Sequence, residues 1–174
     1  MKKRVLSWGT FMCDIIASGL EKVAEPGVIE YLDQPIELRL GGHPVDVAVD
    51  LAQIGVDPDE IAFVSTIGTD AFADFLLREI GRYRFQSFVR QVEGGTGKTL
   101  ILAVQGRDRL CHLDPGACMH MSLGHLEEVL LQTTPEFFTF RPGYTNLDTS
   151  MASLLGRLRE GPLHDSFLLL DLCA

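Results

Sequence analysis

Short apolar runs alternate along the chain with longer segments whose apolar residues recur at helical spacing. The runs that have the length of buried strands are residues 4–8, 61–67, 137–140 and 167–170. The segments with helical spacing are residues 44–54, 69–80, 122–131 and 146–159. Strands that alternate with helices of this length indicate a mainly parallel sheet, because each crossover needs a long connection. The sequence therefore predicts the α/β class, with a doubly wound sheet and helices on both faces.

The remaining segments predict a smaller and more exposed sheet. Residues 11–18 are predicted to be extended, and residues 30–40 alternate partly between apolar and polar side chains, as an exposed strand does. Residues 99–104, a turn at 106–108 and residues 110–113 together predict a hairpin.

Composition limits what such a chain binds. Its 174 residues are 46% hydrophobic, enough for one domain, and 24 acidic against 15 basic side chains give a formal charge of −9. Because no basic cluster offsets this charge, we expect no nucleic acid or anionic membrane as partner. No apolar run has the length of a membrane span, and Trp8 and Cys13 follow the basic start too soon for a signal peptide. The cysteines at 13, 111, 118 and 173 form no paired motif, which predicts a cytoplasmic location.

The segment EGGTGKTL, residues 93–100, looks at first sight like a phosphate-binding loop. Such a loop needs a glycine, four further residues and then Gly-Lys-Thr, but Val92 occupies the glycine position. It must also open a helix whose amides hold the anion, whereas Thr99 opens a predicted strand. We therefore predict no phosphate binding here. Two alternatives remain, a flexible turn before the hairpin and a strand whose Thr99 touches a small ligand.

A second cluster, made of Cys111, His112, Cys118 and His120, carries residue types that bind zinc. Zinc sites in proteins usually draw on paired, tightly spaced ligands, whereas this spacing is irregular and contains a Pro-Gly turn. We expect buried thiols and surface histidines here, and no metal. The five scattered histidines also single out no Ser-His-Asp arrangement.

Several short motifs follow one another along nearly the whole chain. They are a strand ending at Gly9 with Asp14 shortly after it, GGHPVDVA at 41–48, IGTDAF at 67–72, a hairpin led by Thr99, and HLDPGA at 112–117. In this order they resemble the ribokinase-like family of sugar kinases, also called the PfkB carbohydrate kinases. The resemblance implies a doubly wound α/β domain, in agreement with the pattern above. It also implies a small β-sheet lid, near residues 11–40 and 99–113, that closes over the substrate.

The same resemblance implies five substrate-binding residues, Asp14, Gly41, Gly42, Asp46 and Thr99. The family's aspartate at the place of Asp14 binds substrate hydroxyls, and its glycine pair lets the backbone approach the substrate. Elementary chemistry agrees, since a carboxylate accepts hydroxyl hydrogen bonds and glycine has no Cβ. The alternative roles are a turn or cap for Asp14, an ordinary turn for the two glycines and a plain strand position for Thr99.

Other polar residues are left out of this predicted site. Gly68 and Asp70 are expected to shape and cap a helix, and Arg141 to be solvated rather than to enter the cleft. Asp46 stands where the family commonly has asparagine, and His43 where it often has a small or basic residue. An ionised carboxylate accepts hydrogen bonds but cannot donate them, so the identity of the sugar stays open.

The resemblance implies that the γ-phosphoryl group of ATP is transferred, with magnesium, to a hydroxyl of a sugar or polyol. The family's catalytic segment, Gly-Ala-Gly-Asp at a helix start, has no match in the sequence. We therefore expect the N-terminal, substrate-binding portion of a kinase, with no turnover of its own and no tightly bound cofactor. The alternative is a non-catalytic module that binds a sugar or nucleoside. The expected partners are that small molecule and a second copy of the chain, through the lid or an exposed sheet edge.

Overall fold

The computed structural model describes residues 3–141, 147–161 and 163–171. Its strands and helices, in chain order, are β1 (Val5–Trp8), β2 (Met12–Leu20), β3 (Glu37–Gly41), α1 (His43–Gln53), β4 (Ile61–Ile67), α2 (Ala71–Ile80), β5 (Gln86–Gln91), β6 (Lys98–Val104), β7 (Leu110–Asp114), α3 (Leu123–Thr133), β8 (Phe137–Phe140), α4 (Asp148–Arg159) and β9 (Phe167–Leu170). Two short 3-10 turns, Pro58–Glu60 and Gly116–His120, precede β4 and α3.

The larger sheet runs β5-β4-β1-β8-β9 through the described part of the chain, and all neighbouring strands are parallel. Val5 of β1 pairs with Ile61 on one side and Phe137 on the other, so β1 lies in the middle. Every residue of β4 is buried, which is typical of a strand covered on both faces. The predicted α/β class with a mainly parallel sheet is confirmed.

Helices pack on both faces of this sheet. On one face, Phe63 of β4 packs in the same buried cluster as Val45 of α1 and Leu76 of α2. On the other face, Val64 packs with Leu126 of α3 and with the apolar side of α4. Neighbouring residues of a strand point to opposite faces, so the continuous apolar run of β4 supplies both cores.

The smaller sheet runs β3-β2-β6-β7. Strands β2 and β6 are parallel, whereas β3 pairs with β2 and β7 with β6 in the antiparallel sense. The predicted hairpin is confirmed, with Thr99 opposite Leu113 and Ile101 opposite Cys111. Apart from one end residue each of β3, β6 and β7, these strands fall inside the two ranges that the resemblance assigns to a lid.

Several predicted boundaries differ from the structure. Of the predicted strand 30–40 only residues 37–40 join a sheet, as part of Glu37–Gly41, and Pro35, which has no N–H to donate, lies two residues before it. The sequence does not predict β5, because its polar, partly exposed residues give the weak pattern of an edge strand. Asn146, where the fourth helix is predicted to begin, lies outside the described residues. None of the helices in the described ranges is long and apolar enough to cross a membrane.

Candidate functional site

The glycine-rich run at 93–100 is a packed turn that leads into a strand. Strand β6 begins at Lys98, where a phosphate-binding loop would begin a helix. Thr96, at the centre of the run, is fully buried and donates from its backbone N–H and its hydroxyl to the Asp70 carboxylate, at 3.0 and 2.6 Å. The Gly68 N–H donates in turn to the Thr96 hydroxyl at 3.2 Å. The polar groups of this run therefore hold it against the turn between β4 and α2.

Asp70 also caps a helix, as the sequence predicts. Its carboxylate accepts a hydrogen bond from the Ala73 N–H at 3.1 Å at the start of α2. A Cβ on Gly68 would come within 2.6 Å of the Thr96 nitrogen, so only glycine allows the turn to pack here.

The cysteines and histidines of the segment 111–120 lie on different parts of the fold. Cys111 and His112 are consecutive residues of β7 and therefore point to opposite faces of the smaller sheet. Cys118 is buried, with its sulfur 3.6 Å from the Phe11 carbonyl oxygen. Cys13 is buried too, but Cys111 is exposed, so the expectation of buried thiols is wrong for Cys111. Cys173 lies outside the described residues.

A cavity of about 660 Å³ lies between the smaller sheet and the first turn of α1, and residues that follow β8 and β9 line it as well. Four of the five predicted site residues line it, namely Asp14, Gly42, Asp46 and Thr99. The fifth, Gly41, lies directly behind Asp14, where an added Cβ would come within 2.7 Å of its Oδ1 atom. The carboxyl ends of parallel strands are where open α/β sheets bind ligands.

Asp14 and Thr99 face the cavity from neighbouring strands. They are register partners of β2 and β6, so their side chains leave the sheet on the same face. Burial raises the pKa of the half-buried Asp14 above its usual value, while the hydrogen bond from the Thr99 side chain opposes this rise. Asp14 is thus an acceptor held in place by the strand beside it.

Gly42 forms the turn between β3 and α1. Its φ of 98° lies in the region that glycine tolerates, and a Cβ there would overlap the Thr10 carbonyl oxygen. Its own carbonyl oxygen accepts from the Val45 and Asp46 N–H groups at 3.0 and 3.1 Å, while no side chain caps the helix start. The backbone at Gly42 is therefore open to the cavity and fixed in direction.

Asp46 lies one turn into α1, on the wall of the same cavity. Although the residue as a whole is solvent-exposed, partial burial of the carboxylate raises the pKa of Asp46 to about 6, and the charges of Asp14 and Asp50 add to this rise, against a hydrogen bond from the Gly42 backbone. No ion pair between residues of the described ranges involves any of the three aspartates. The floor of the cavity is consequently a cluster of mutually repelling carboxylates that have hydrogen-bond acceptors to offer.

The structure adds residues to the cavity wall that the sequence prediction leaves out. Arg141 follows β8 and Asp171 follows β9, and both line the cavity together with His43 and Arg109. The expectation that Arg141 stays out of the cleft is therefore wrong. Arg141 and Asp171 could have been identified from the sequence, because each directly follows a predicted strand of the parallel sheet.

His43 is an almost fully buried polar side chain of the cavity wall. Its side chain is 7% exposed, and its Nδ1 lies 3.0 Å from Asp171 Oδ2. Its Nε2 lies 3.1 Å from the Thr139 hydroxyl of β8. Burial lowers the pKa of His43 more than the Asp171 carboxylate raises it, so the imidazole is neutral at pH 7.

No family model and no curated protein matches the sequence. Solved structures do match. A ribokinase of Giardia lamblia superposes with a TM-score of 0.82 at 15% identity, covering 98% of this chain and 50% of that one. The chain has the ribokinase-like fold.

Two further structures agree with this likeness. A fructokinase of Halothermothrix orenii has a TM-score of 0.73 at 20% identity, covering 98% of this chain and 57% of that one. A fructokinase of Xylella fastidiosa with bound ATP has a TM-score of 0.69 at 19% identity, covering 100% and 53%. The chain thus spans about half the length of the ribokinase-like structures that it matches, and at these identities the likeness concerns the fold.

Proposed function

We propose that this chain is the substrate-binding portion of a ribokinase-like carbohydrate kinase. The full enzyme transfers the γ-phosphoryl group of ATP, with magnesium, to a hydroxyl of a sugar or polyol in the cytoplasm. The observation that carries the proposal is the meeting of Asp14, Gly42, Asp46 and Thr99 in one cavity at the edge of a ribokinase-like sheet. These residues come from three separate segments of the sequence, and the resemblance selects them before any geometry is known.

The chemistry of the cavity suits a polyhydroxylated ligand. Asp14 and Asp46 offer carboxylate oxygens that accept from hydroxyl groups, and hydrogen bonds to a charged acceptor are the stronger kind. Gly42 presents backbone without a Cβ, so a sugar ring can approach the start of α1 closely. An apolar analogue would leave these acceptors desolvated and unpaired, at a cost of about 1–3 kcal/mol each. The smaller sheet, which covers the cavity, acts in this proposal as the lid.

Phosphoryl transfer needs a second set of groups. It depends on positioning, on stabilisation of the charge that spreads over the transferred group, and on a carboxylate that accepts the proton of the attacking hydroxyl. The family supplies the base and the anion-binding amides from Gly-Ala-Gly-Asp, which these 174 residues do not contain. We therefore expect this polypeptide to bind a sugar without phosphorylating it, since each group contributes roughly 10²-fold or more. By itself it would act as a binding module for a sugar or nucleoside.

Ligand titration of the purified chain and its Asp14→Ala variant tests the proposal. The probes are D-ribose, D-fructose and adenosine, with binding followed by calorimetry and phosphorylation by ATP consumption with magnesium. We expect one probe to bind the wild-type chain, the Asp14→Ala variant to bind it at least about tenfold more weakly, and neither chain to consume ATP. Asp33→Ala, in an exposed loop away from the cavity, is the matched control and should bind normally. Equal affinity of the Asp14→Ala and wild-type chains would refute the role of Asp14. Steady phosphorylation would refute the expectation that this chain binds a sugar without phosphorylating it.

A further inference from the structure

We propose that His43 is a positioning residue of the cavity. Through Thr139 and Asp171 it fastens the first turn of α1 to the carboxyl ends of β8 and β9, and thereby sets where the Gly42 backbone and the Asp46 carboxylate stand. The effect on substrate binding rests on the proposed function. The effect on Asp46 itself does not.

The hydrogen bonds of His43 define one arrangement of its ring. A carboxylate only accepts, so the ring nitrogen that faces Asp171 Oδ2 at 3.0 Å, Nδ1, carries the hydrogen. In the neutral ring Nε2 is then an acceptor, and the Thr139 hydroxyl donates to it across 3.1 Å. Thr139 is itself buried, with 7% of its surface exposed. Both ring nitrogens are therefore used, and the ring cannot turn without breaking a bond.

The first turn of α1 depends on such ties because its own start lacks a side-chain cap. Within the described residues, the first turn of α1 is hydrogen-bonded to the larger sheet and the residue after β9 through the side chain of His43 and through the Ser7 hydroxyl, which donates to the Pro44 carbonyl oxygen at 2.8 Å. Ser7 belongs to β1, whereas Thr139 and Asp171 belong to β8 and follow β9. The helix start is thus held at separate points along the edge of the sheet, and two of those points pass through His43.

Asp46 follows His43 by three residues on the same turn, so a shift of this turn moves its carboxylate relative to Asp14. The two carboxylates interact electrostatically, because the charge of Asp14 contributes to the raised pKa of Asp46. Coulomb interaction falls with distance, so this contribution reports how well the helix start is placed. The pKa of Asp46 can therefore be measured as a signal of position, without any ligand.

An NMR titration of the Asp46 side chain in the full 174-residue protein tests the proposal. The variants are His43→Ala, which loses both hydrogen bonds, and His43→Asn, whose Nδ2 can still donate to Asp171. We expect the pKa of Asp46 to fall from about 6 by about half a unit or more in His43→Ala and by less in His43→Asn. An unchanged Asp46 titration in His43→Ala would overturn the proposal.

A second pair of variants perturbs the fold less and separates an effect on the position of α1 from a general loss of stability. Thr139→Val and Thr133→Val each remove one buried threonine hydroxyl, but Thr133 donates to Val129 inside α3, away from the cavity. We expect Thr139→Val to lower the pKa of Asp46 and Thr133→Val to leave it unchanged at a similar loss of thermal stability. Equal titration curves in the two variants would also overturn the proposal. Binding of D-ribose or D-fructose is measured in parallel, so that an absence of binding to the wild-type chain counts against the proposed function alone.

Discussion

Replacing Asp46 by asparagine should stabilise the fold at neutral pH and change the hydrogen bonds that the site offers. Burial of the Asp46 carboxylate first, and then the charges of Asp14 and Asp50, raise its pKa from 3.8 to about 6. Asparagine keeps the shape and the oxygen that accepts from the Gly42 backbone, but removes the charge. Repulsion that is kept at the expense of stability is typical of a binding site.

The magnitude and its sign follow from the pKa. A rise of about two units corresponds to a ceiling of about 3 kcal/mol, and because Asp46 is exposed to solvent in the cavity, screening reduces the expected gain to about 1 kcal/mol. Between pH 4 and 6 the folded chain binds more protons than the unfolded chain, so this cost is absent below pH 4 and grows as pH rises through about 6. The gain in the free energy of unfolding should therefore appear at pH 7.5 and vanish near pH 3.5.

Urea unfolding at these two pH values measures the effect. The Asp33→Asn variant removes the same charge from an exposed loop, and its change in the free energy of unfolding at the same two pH values is the matched control. A gain for Asp46→Asn that is the same at both pH values, or a loss at pH 7.5, would show that the raised pKa of Asp46 does not lower the stability of the fold.

Three further predictions concern the backbone and the sheet edge. Gly42→Ala should destabilise the fold more than Gly27→Ala, since both have positive φ, at about 1–2 kcal/mol of strain, but only Gly42 would also collide with backbone; melting temperatures compare them. Thr96→Val should lower the free energy of unfolding by about 1–3 kcal/mol, because it leaves the buried Gly68 N–H unpaired; a urea curve unchanged from wild type would contradict this. Strand β9 lies at an edge of the larger sheet, with 51% of Leu169 exposed. The chain should therefore self-associate in sedimentation experiments, and Leu169→Lys should reduce this association. A wild-type chain that stays monomeric at high concentration would contradict the prediction.

Local patterns predict much of the fold because they depend on neighbouring residues. The apolar run of β4, the Pro44 in the first turn of α1 and the turn between β6 and β7 are all visible in the sequence. The failures have local reasons as well. The polar side chains of β5 mask an edge strand, and Pro35 interrupts the predicted strand before β3.

The sequence also predicts part of the candidate site but not how its residues come together. Asp14 and Asp46 are selected from sequence motifs, but their nearness requires β2 and α1 to be folded against one another. The contact of His43 with Asp171 spans 128 positions and has no local signal at all. Arg141 is likewise an ordinary charged residue until β8 places it on the cavity wall.

The sequence by itself thus determined the alternation of strands and helices, the hairpin, the absence of a phosphate-binding glycine at Val92, and the motifs that point to a ribokinase-like fold. Tertiary structure alone decided which polar groups face each other. The reason is physical, since periodicity and turn chemistry act over a few residues, whereas the raised pKa of Asp46 and the orientation of the His43 ring depend on charges and hydrogen bonds from distant segments.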